Sequence, residues 1–342
     1  MAIKVFTDQS LLITENRKHI FFFFLELVFT HKPWIQDYFN LVNSIKEADV
    51  TAFPLDICYA KAKYGDKVIK NFVNLVLLYH LPVWLYSGGD IGWSQFNAYP
   101  NIVHFRLAGF KSGYTTTTEI LPAFVQDPLQ DDEFKPIKTT KLPYSMGFVG
   151  HADGSLTKWI KELFNFAKRE MKRWQHNNTD YQAFYPSAVK RFIFLNQLSK
   201  IHQLQTDFIL RQKYRAGISN KIDQKKNTEE EFKNNIQNNL FTFCMRGGGN
   251  FSVRFYETLA SGRIPFYLDT DTQLPLKDDI DWDKHIFTFT PQDSLHVIQE
   301  KFKNFVKHND LEQMQINNRL LWQNRLSREA YTKQLFFKYR IK

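Results

Sequence analysis

The chain has 342 residues, 43% of them hydrophobic and 16% aromatic, with a formal net charge of +10. That apolar content excludes a disordered chain, and the length allows two cores of ordinary size. Two cysteines in apolar contexts, Cys58 and Cys244, and ten scattered histidines exclude a disulfide framework and offer no metal-ligand spacing. The excess of basic residues fits an anionic partner: nucleic acid, a nucleotide sugar, or a membrane face rich in acidic lipid.

In chain order, Ile3–Thr7 reads as a short strand ending near Asp8. The apolar run Ile20–Phe29 is interrupted by Glu26. It is too short to cross a bilayer, which needs roughly twenty residues, and reads as a buried strand or helix start. No charged start precedes an apolar region, so the sequence predicts no signal peptide and a cytoplasmic chain. Ala48–Leu55 is a strand candidate ending at Asp56. Ala60–Tyr79 has helical periodicity, with Val68, Phe72, Leu75 and Tyr79 on one face. Leu81–Tyr86 is a strand that runs into Ser87-Gly88-Gly89-Asp90, and Ile102–Leu107 is another, ending near Gly109. Strands alternating with helices argue for a parallel sheet with both faces covered.

Gln126–Pro143 is rich in Asp, Lys and Pro and reads as an interdomain linker. A second unit opens with Met146–Val149 and the polar glycine turn Gly150-His151-Ala152-Asp153-Gly154. A long helix follows from about Leu156 to Gln175. Phe192–Leu195 is apolar but short, and Phe208–Arg211 is a strand candidate. Asn177–Asn178 and 220–227 read as exposed loops. Thr228-x-x-Glu231 has the capping-box pattern for a helix over Thr228–Asn238. Helical patterns run from Ser294 to the C-terminus. Its last stretch, Glu300–Lys342, carries ten Lys/Arg against four Asp/Glu, a local charge of +6. That is either a solvated face or a basic platform beside an anionic acceptor or membrane.

The segment Cys244–Trp282 carries the chemistry. An apolar strand, Leu240–Met245, meets Arg246 and then Gly247, Gly248 and Gly249. An amphipathic stretch, Phe251–Ser261, follows, and Gly262 and Pro265 bracket the next apolar run, Ile264–Leu268. Strand, glycine turn, helix and strand form the unit that places an anion at a helix N-terminus. On the helix, Arg254, Glu257 and Ser261 share one side, and Phe251, Phe255 and Leu259 another. Arg254 and Glu257 are either an ordinary i,i+3 surface pair or a phosphate contact and a ribose contact.

This run resembles the C-terminal signature of the exostosin-like glycosyltransferases. The matching residues are Arg246-Gly247, Ser252-x-Arg254-Phe255-x-Glu257-Thr258-Leu259, Gly262-x-Ile264-Pro265, Asp269, Leu274-Pro275 and Asp281-Trp282. Met245, Thr258 and Phe266 stand where the family pattern has proline, alanine and valine. The resemblance implies an α/β chain of GT-B type, two Rossmann-like domains facing across a cleft. It implies an acceptor-binding domain over 1–135, a nucleotide-sugar-binding domain over 144–325, and a final helix over 326–342 that packs back on the first domain. The activity implied is sugar transfer from a UDP- or GDP-linked donor to a saccharide or lipid-linked acceptor, without metal or other cofactor. The composition looks bacterial and suits capsule or lipopolysaccharide assembly at the inner membrane face.

The residues then take expected roles. Arg246, Gly247, Gly248, Gly249, Ser252 and Arg254 hold the diphosphate, with Arg211 and Lys213 as weaker additions, and Glu257 holds the ribose. Asp90, at a glycine-flanked loop after a strand, is the first candidate for catalytic base, with His151 and Asp8 next. Asp269-Thr270-Asp271 is a literal Asp-x-Asp, readable as a loop beside the sugar or as a solvated turn. Two other classes stay open on charge and glycines alone. A Rossmann oxidoreductase lacks here the GxGxxG order and the acidic residue about twenty positions on. A nucleic-acid-binding protein lacks a recognised motif, so no nucleic-acid partner is expected.

Overall fold

The computed structural model describes residues 1–95, 99, 101–130, 132–139, 142–211 and 222–340, with backbone alone over 222–226. Lys213 and the loop reading of residues 220–221 lie outside the described residues.

The first half contains β1 (Ile3–Phe6), a single turn α1 (Phe22–Phe24), β2 (Phe39–Val42), β3 (Val50–Asp56), α2 (Ile57–Tyr64), α3 (Asp66–Leu77), β4 (Val83–Ser87), β5 (Ile102–Arg106) and β6 (Thr118–Ile120). Its six strands form one sheet in the order β2-β1-β3-β4-β5-β6, parallel at every pairing. Every residue of β3 is buried, as expected of a parallel strand covered on both faces. The single helix expected over Ala60–Tyr79 is two helices. Gly65 separates them at φ 84, a conformation that glycine adopts without a Cβ clash. The break resets the phase of the second helix. Ile69, Phe72, Val73 and Val76 are buried, while Leu75 and Tyr79 are exposed. Phe21, Phe23 and Phe24 are fully buried, at the centre of an aromatic core with Phe39, Phe53, Trp84 and Phe105.

The second half contains β7 (Tyr144–His151), α4 (Leu156–His176), α5 (Ser187–Leu198), β8 (Leu204–Arg211), α6 (Ile222–Asn238), β9 (Phe241–Cys244), α7 (Val253–Ala260), β10 (Ile264–Leu268), β11 (Phe287–Phe289), α8 (Leu295–His308), α9 (Leu311–Leu321) and α10 (Arg328–Tyr339). Five strands form a second parallel sheet, β11-β10-β9-β7-β8. Phe192–Leu195 belongs to α5 rather than standing alone. Thr228 lies inside α6, so the expected capping box there does not form. Residues 121–143 carry neither helix nor strand between the two sheets among the described positions.

The last helix crosses back. Tyr331, Leu335 and Phe336 of α10 are buried in the core of the first sheet. The Tyr331 hydroxyl donates to the Ile120 carbonyl at 3.1 Å, and Arg328 pairs with Glu26 at 2.9 Å. Two Rossmann-like domains with a C-terminal helix returning to the first constitute the GT-B architecture. Ligands of open parallel sheets bind beyond the carboxyl ends of the strands. Here those ends meet: the loop after β4 touches the turn after β9, and the loop after β5 touches the same turn.

Candidate active site

A polar seam joins the domains beside this meeting point. Arg106, at the end of β5 and 2% exposed, pairs with Asp180 at 2.9 Å and also donates to Ser94 Oγ and the Ala108 carbonyl. Asp180 follows α4 in the second domain, and its own amide donates to the Gly92 carbonyl at 2.7 Å. Lys61 donates to the Asn177 carbonyl, and Asn178 to the Cys58 carbonyl. On the other side of the seam, Asn250 Nδ2 lies 3.0 Å from the Gly109 carbonyl and 3.0 to 3.1 Å from those of Asp271 and Thr270. Asp271 accepts from the amide and hydroxyl of Ser112, and Asp269 from the Thr272 amide. The Asp269-Thr270-Asp271 run, whose Asp271 is exposed, reaches the other domain through Ser112 and Gly109. It is a bracket between domains. Among the described residues no group of three His, Cys, Asp or Glu side chains is arranged so that it could hold a metal ion.

The glycine turn sits against this seam. A Cβ on Gly249 would overlap the backbone carbonyl oxygen and Cα of Asp90, and one on Gly248 would stand 3.5 Å from Asp90 Oδ2. Gly249 is thus needed for the approach of the other domain, a use that the run of glycines does not announce. Gly247 donates its amide to the Phe251 carbonyl at 3.4 Å, closing the turn on itself. The Gly248 and Gly249 amides have no acceptor among the described residues. Ser252, 8% exposed, is the N-cap of α7, and its hydroxyl caps no amide.

The arginines separate into two kinds. Arg106, Arg319 and Arg328 each meet a carboxylate at 2.7 to 2.9 Å. Arg211 closes on Glu231 and donates to the Thr228 carbonyl, so it is withdrawn from the expected phosphate set. Arg263 meets no acid but is filled by the Gln237 and Lys135 carbonyls and Gln315 Oε1. Arg246 and Arg254 are different. Arg246, 4% exposed, lies over the rings of Tyr185 at 4.3 Å and Phe110 at 5.1 Å, and burial pushes its guanidinium down to about 10. Arg254 lies 4.2 Å from the Phe148 ring centroid and donates to the Val149 carbonyl at 2.6 Å, and burial lowers it too. Neither meets a carboxylate, and the Nε of each is buried without an acceptor among the described residues. Gly150 makes the room: a Cβ there would stand 2.9 Å from an Arg254 terminal nitrogen.

The Glu257 carboxylate, one turn along α7, makes no ion pair with Arg254 and no hydrogen bond among the described residues. That carboxyl is raised by burial, with Arg254 pulling the other way. The i,i+3 surface pair is therefore absent. His151 ends β7 and holds the Arg211 carbonyl with Nδ1 at 2.9 Å, while its Nε2 is buried without a partner among the described residues. If Nδ1 carries the proton, as a carbonyl partner requires, Nε2 is a free acceptor. Two arginines escaped the sequence reading. Arg191 donates to the His151 carbonyl at 2.6 Å and lies 3.5 Å from the Arg246 carbonyl, and Arg169 adds positive charge near Arg246. Both lie on helices without a motif, so no local signal marked them.

In the first domain, Asp90 is exposed and lines two cavities. One, of about 200 Å³, is bounded by Arg106, Tyr114 and Asp180. The other, of about 610 Å³, is bounded by His19, Asp56, Tyr59 and Gly88. Asp56 is the residue that sequence reasoning passed over: an acid at the carboxyl end of a buried parallel strand. Desolvation raises its carboxyl, although the Tyr59 and Gly88 amides donate to it at 2.9 and 2.6 Å. His19 stacks on Tyr59 at 3.7 Å beside it. Asp8 instead caps the turn at Gln9–Leu11 by accepting from Ser10, away from these groups.

No protein-family model matches the chain, and no curated protein matches it. Solved structures do. The lipopolysaccharide outer core galactosyltransferase WaaB in its apo form is 10% identical, with a TM-score of 0.42 over 98% of each chain. Anabaena HepE in complex with UDP is 8% identical, with a TM-score of 0.39 over 99% of each chain. An α1,3-fucosyltransferase is 14% identical, with a TM-score of 0.39 over 98% of this chain and 89% of its own.

Proposed function

We propose that this chain transfers a sugar from a UDP- or GDP-linked donor to a saccharide or lipid-linked acceptor, in the manner of an exostosin-like glycosyltransferase of surface polysaccharide assembly. The observation that carries this reading is the pair of buried guanidinium groups, Arg246 and Arg254, that meet no acid among the described residues, beside a glycine turn whose Gly248 and Gly249 amides meet no acceptor among them. A buried cation without a counter-ion is costly unless a ligand supplies the charge. A nucleotide diphosphate supplies two negative charges or more at that spot. As the sugar–phosphate bond breaks, charge builds on the leaving diphosphate, and fixed cations there stabilise that state more than the ground state.

The assignment follows. Arg246, Arg254, Ser252 and the Gly248–Gly249 amides hold the diphosphate at the start of α7. Glu257, half-buried and with no partner for its carboxylate among the described residues, accepts from ribose hydroxyls. His151 Nε2 accepts from the sugar or a phosphate proton. The arginines provide the counter-charge, because the Asp269 and Asp271 carboxylates already serve Thr272 and Ser112. Across the seam, Asp90 takes the proton of the acceptor hydroxyl if configuration inverts. It precedes Asp56 in this role because both Asp56 oxygens already accept backbone amides.

A screen of UDP- and GDP-sugars for nucleotide release, with and without oligosaccharide and lipid-linked acceptors, tests this. Release from one donor class, with Asp90→Asn losing turnover on the order of a hundredfold at unchanged donor affinity, is the expected result. No release from any donor, together with thermal stabilisation by NAD but not by UDP or GDP, would overturn it.

A further inference from the structure

The helix α4 (Leu156–His176) buries none of its residues, although it is strongly amphipathic. Leu156, Ile160, Leu163, Phe164, Met171 and Trp174 recur three, four and seven residues apart, so they form one stripe along the helix. All six are exposed, Phe164 at 73% and Trp174 at 82%. A solvent-facing helix ordinarily turns such a stripe inward. At 21 residues the stripe is about 30 Å long.

The charges are sorted as well. Lys161, Lys168 and Lys172 lie next to the stripe and are exposed. Of the two acids of the helix, Glu162 lies on the opposite side, and Glu170, seven residues after Leu163, borders the stripe but is held by Arg169 and Arg173. Glu162 pairs with Lys158 and accepts from the Ala188 amide, and Glu170 pairs with Arg173 at 2.7 Å. Their side chains are 15% and 17% exposed. The outward surface of α4 therefore carries apolar side chains and cations, and the one carboxylate at its border, Glu170, is paired. No described helix is long and apolar enough to cross a membrane.

We propose that α4 docks the protein on an anionic lipid bilayer, lying in the interface plane with Phe164 and Trp174 among the acyl chains and the three lysines at the headgroups. Apolar burial and attraction to acidic lipid act together in such helices, and lysines beside the stripe distinguish a bilayer from a second copy of this basic chain, which would be repelled. The surface lies on the second domain, outside the arginine and glycine site. Vesicle binding therefore succeeds or fails whatever the donor screen returns.

Co-sedimentation of the full chain with vesicles tests it. Binding is expected to phosphatidylglycerol-containing vesicles, with at least tenfold less to pure phosphatidylcholine and a marked loss at high salt. Phe164→Glu/Trp174→Glu should lose at least tenfold on both lipids, and Lys161→Glu/Lys168→Glu/Lys172→Glu on anionic lipid alone. These side chains are exposed, so unchanged circular dichroism is expected and is checked alongside. Wild-type protein that stays in the supernatant, or variants that sediment as wild type does, would overturn the proposal. So would a stable dimer in light scattering that Phe164→Glu/Trp174→Glu makes monomeric, since the stripe would then belong to a second copy.

Discussion

The interdomain seam and the glycine-turn site both bury arginine, and they balance its charge in opposite ways. In the seam, Arg106 is 2% exposed and faces Asp180, Ser94 and the Ala108 carbonyl. In the site, Arg246 is 4% exposed and faces aromatic rings and the Gly248 carbonyl, and Arg254 has one carbonyl and two rings. Arg106, Arg319 and Arg328 arrive with their acids and Arg263 with several oxygen acceptors, whereas Arg246 and Arg254 each have one carbonyl and no acid among the described residues. A buried pair is weak evidence of stability, but a buried cation left alone costs stability and needs another reason to be there.

The largest expected effect comes from making the seam resemble the site. Asp180→Ala leaves Arg106 without its carboxylate. Unfolding by urea should show a loss of about 3 kcal/mol, the low end for a buried unpaired charge because Asp180 keeps some contact with water. A loss under about 1 kcal/mol would mean that the seam is not held by this pair. The reverse change comes second. Arg254→Met removes a lone buried cation and keeps its apolar contact with Phe148. UDP or GDP affinity, by calorimetry, should fall by about 2 kcal/mol, roughly thirtyfold, while stability is unchanged or higher. Equal losses in both would make Arg254 structural.

Third, Gly249→Ala pushes a methyl into the Asp90 backbone and should cost about 1–2 kcal/mol in thermal unfolding. Gly150→Ala meets the tip of Arg254 at 2.9 Å and the edge of the Phe148 ring at 3.1 Å rather than backbone, and should cost less in stability than in nucleotide affinity. The smallest effect is a pH dependence. Burial raises the Glu257 carboxyl, so folding favours its neutral form. Its stabilising contribution is full in acid and is lost as pH rises through the raised value. Glu257→Gln should therefore melt higher than wild type at neutral pH, with the gap closing below the ordinary glutamate range. A gap that widens in acid would show that Glu257 is paired.

Elements with a long period or with glycine punctuation beside them were legible. The β4, β5, β7, β9 and β10 strands, α4, and the strand–turn–helix around Arg246 all follow from apolar periodicity and glycine punctuation. Three strands were not. Phe39–Val42, Thr118–Ile120 and Phe287–Phe289 lie at sheet edges and span only three or four residues. So short a run shows no period, and its pairing is decided by a distant neighbour. The site was legible in the same measure. Arg254 and Glu257 share a helix face that spacing alone defines. That Arg211 is spent on Glu231, that Gly249 serves the other domain, and that Arg191 joins the group depend on contacts across elements, which local sequence does not encode.

The return of α10 to the first domain sets the order in which the chain can mature on the ribosome. Arg328 meets Glu26 across 302 residues, and Tyr331 reaches Ile120 across 211. The first domain leaves the exit tunnel with its aromatic core missing Tyr331, Leu335 and Phe336, and it stays incomplete until the last helix is made. Chain elongation at about 5–20 residues per second puts that wait at roughly ten seconds or more. Through that interval an apolar surface around Phe22, Phe39 and Trp84 lacks its cover, so the nascent first domain is a natural client for chaperones that bind exposed aromatic segments.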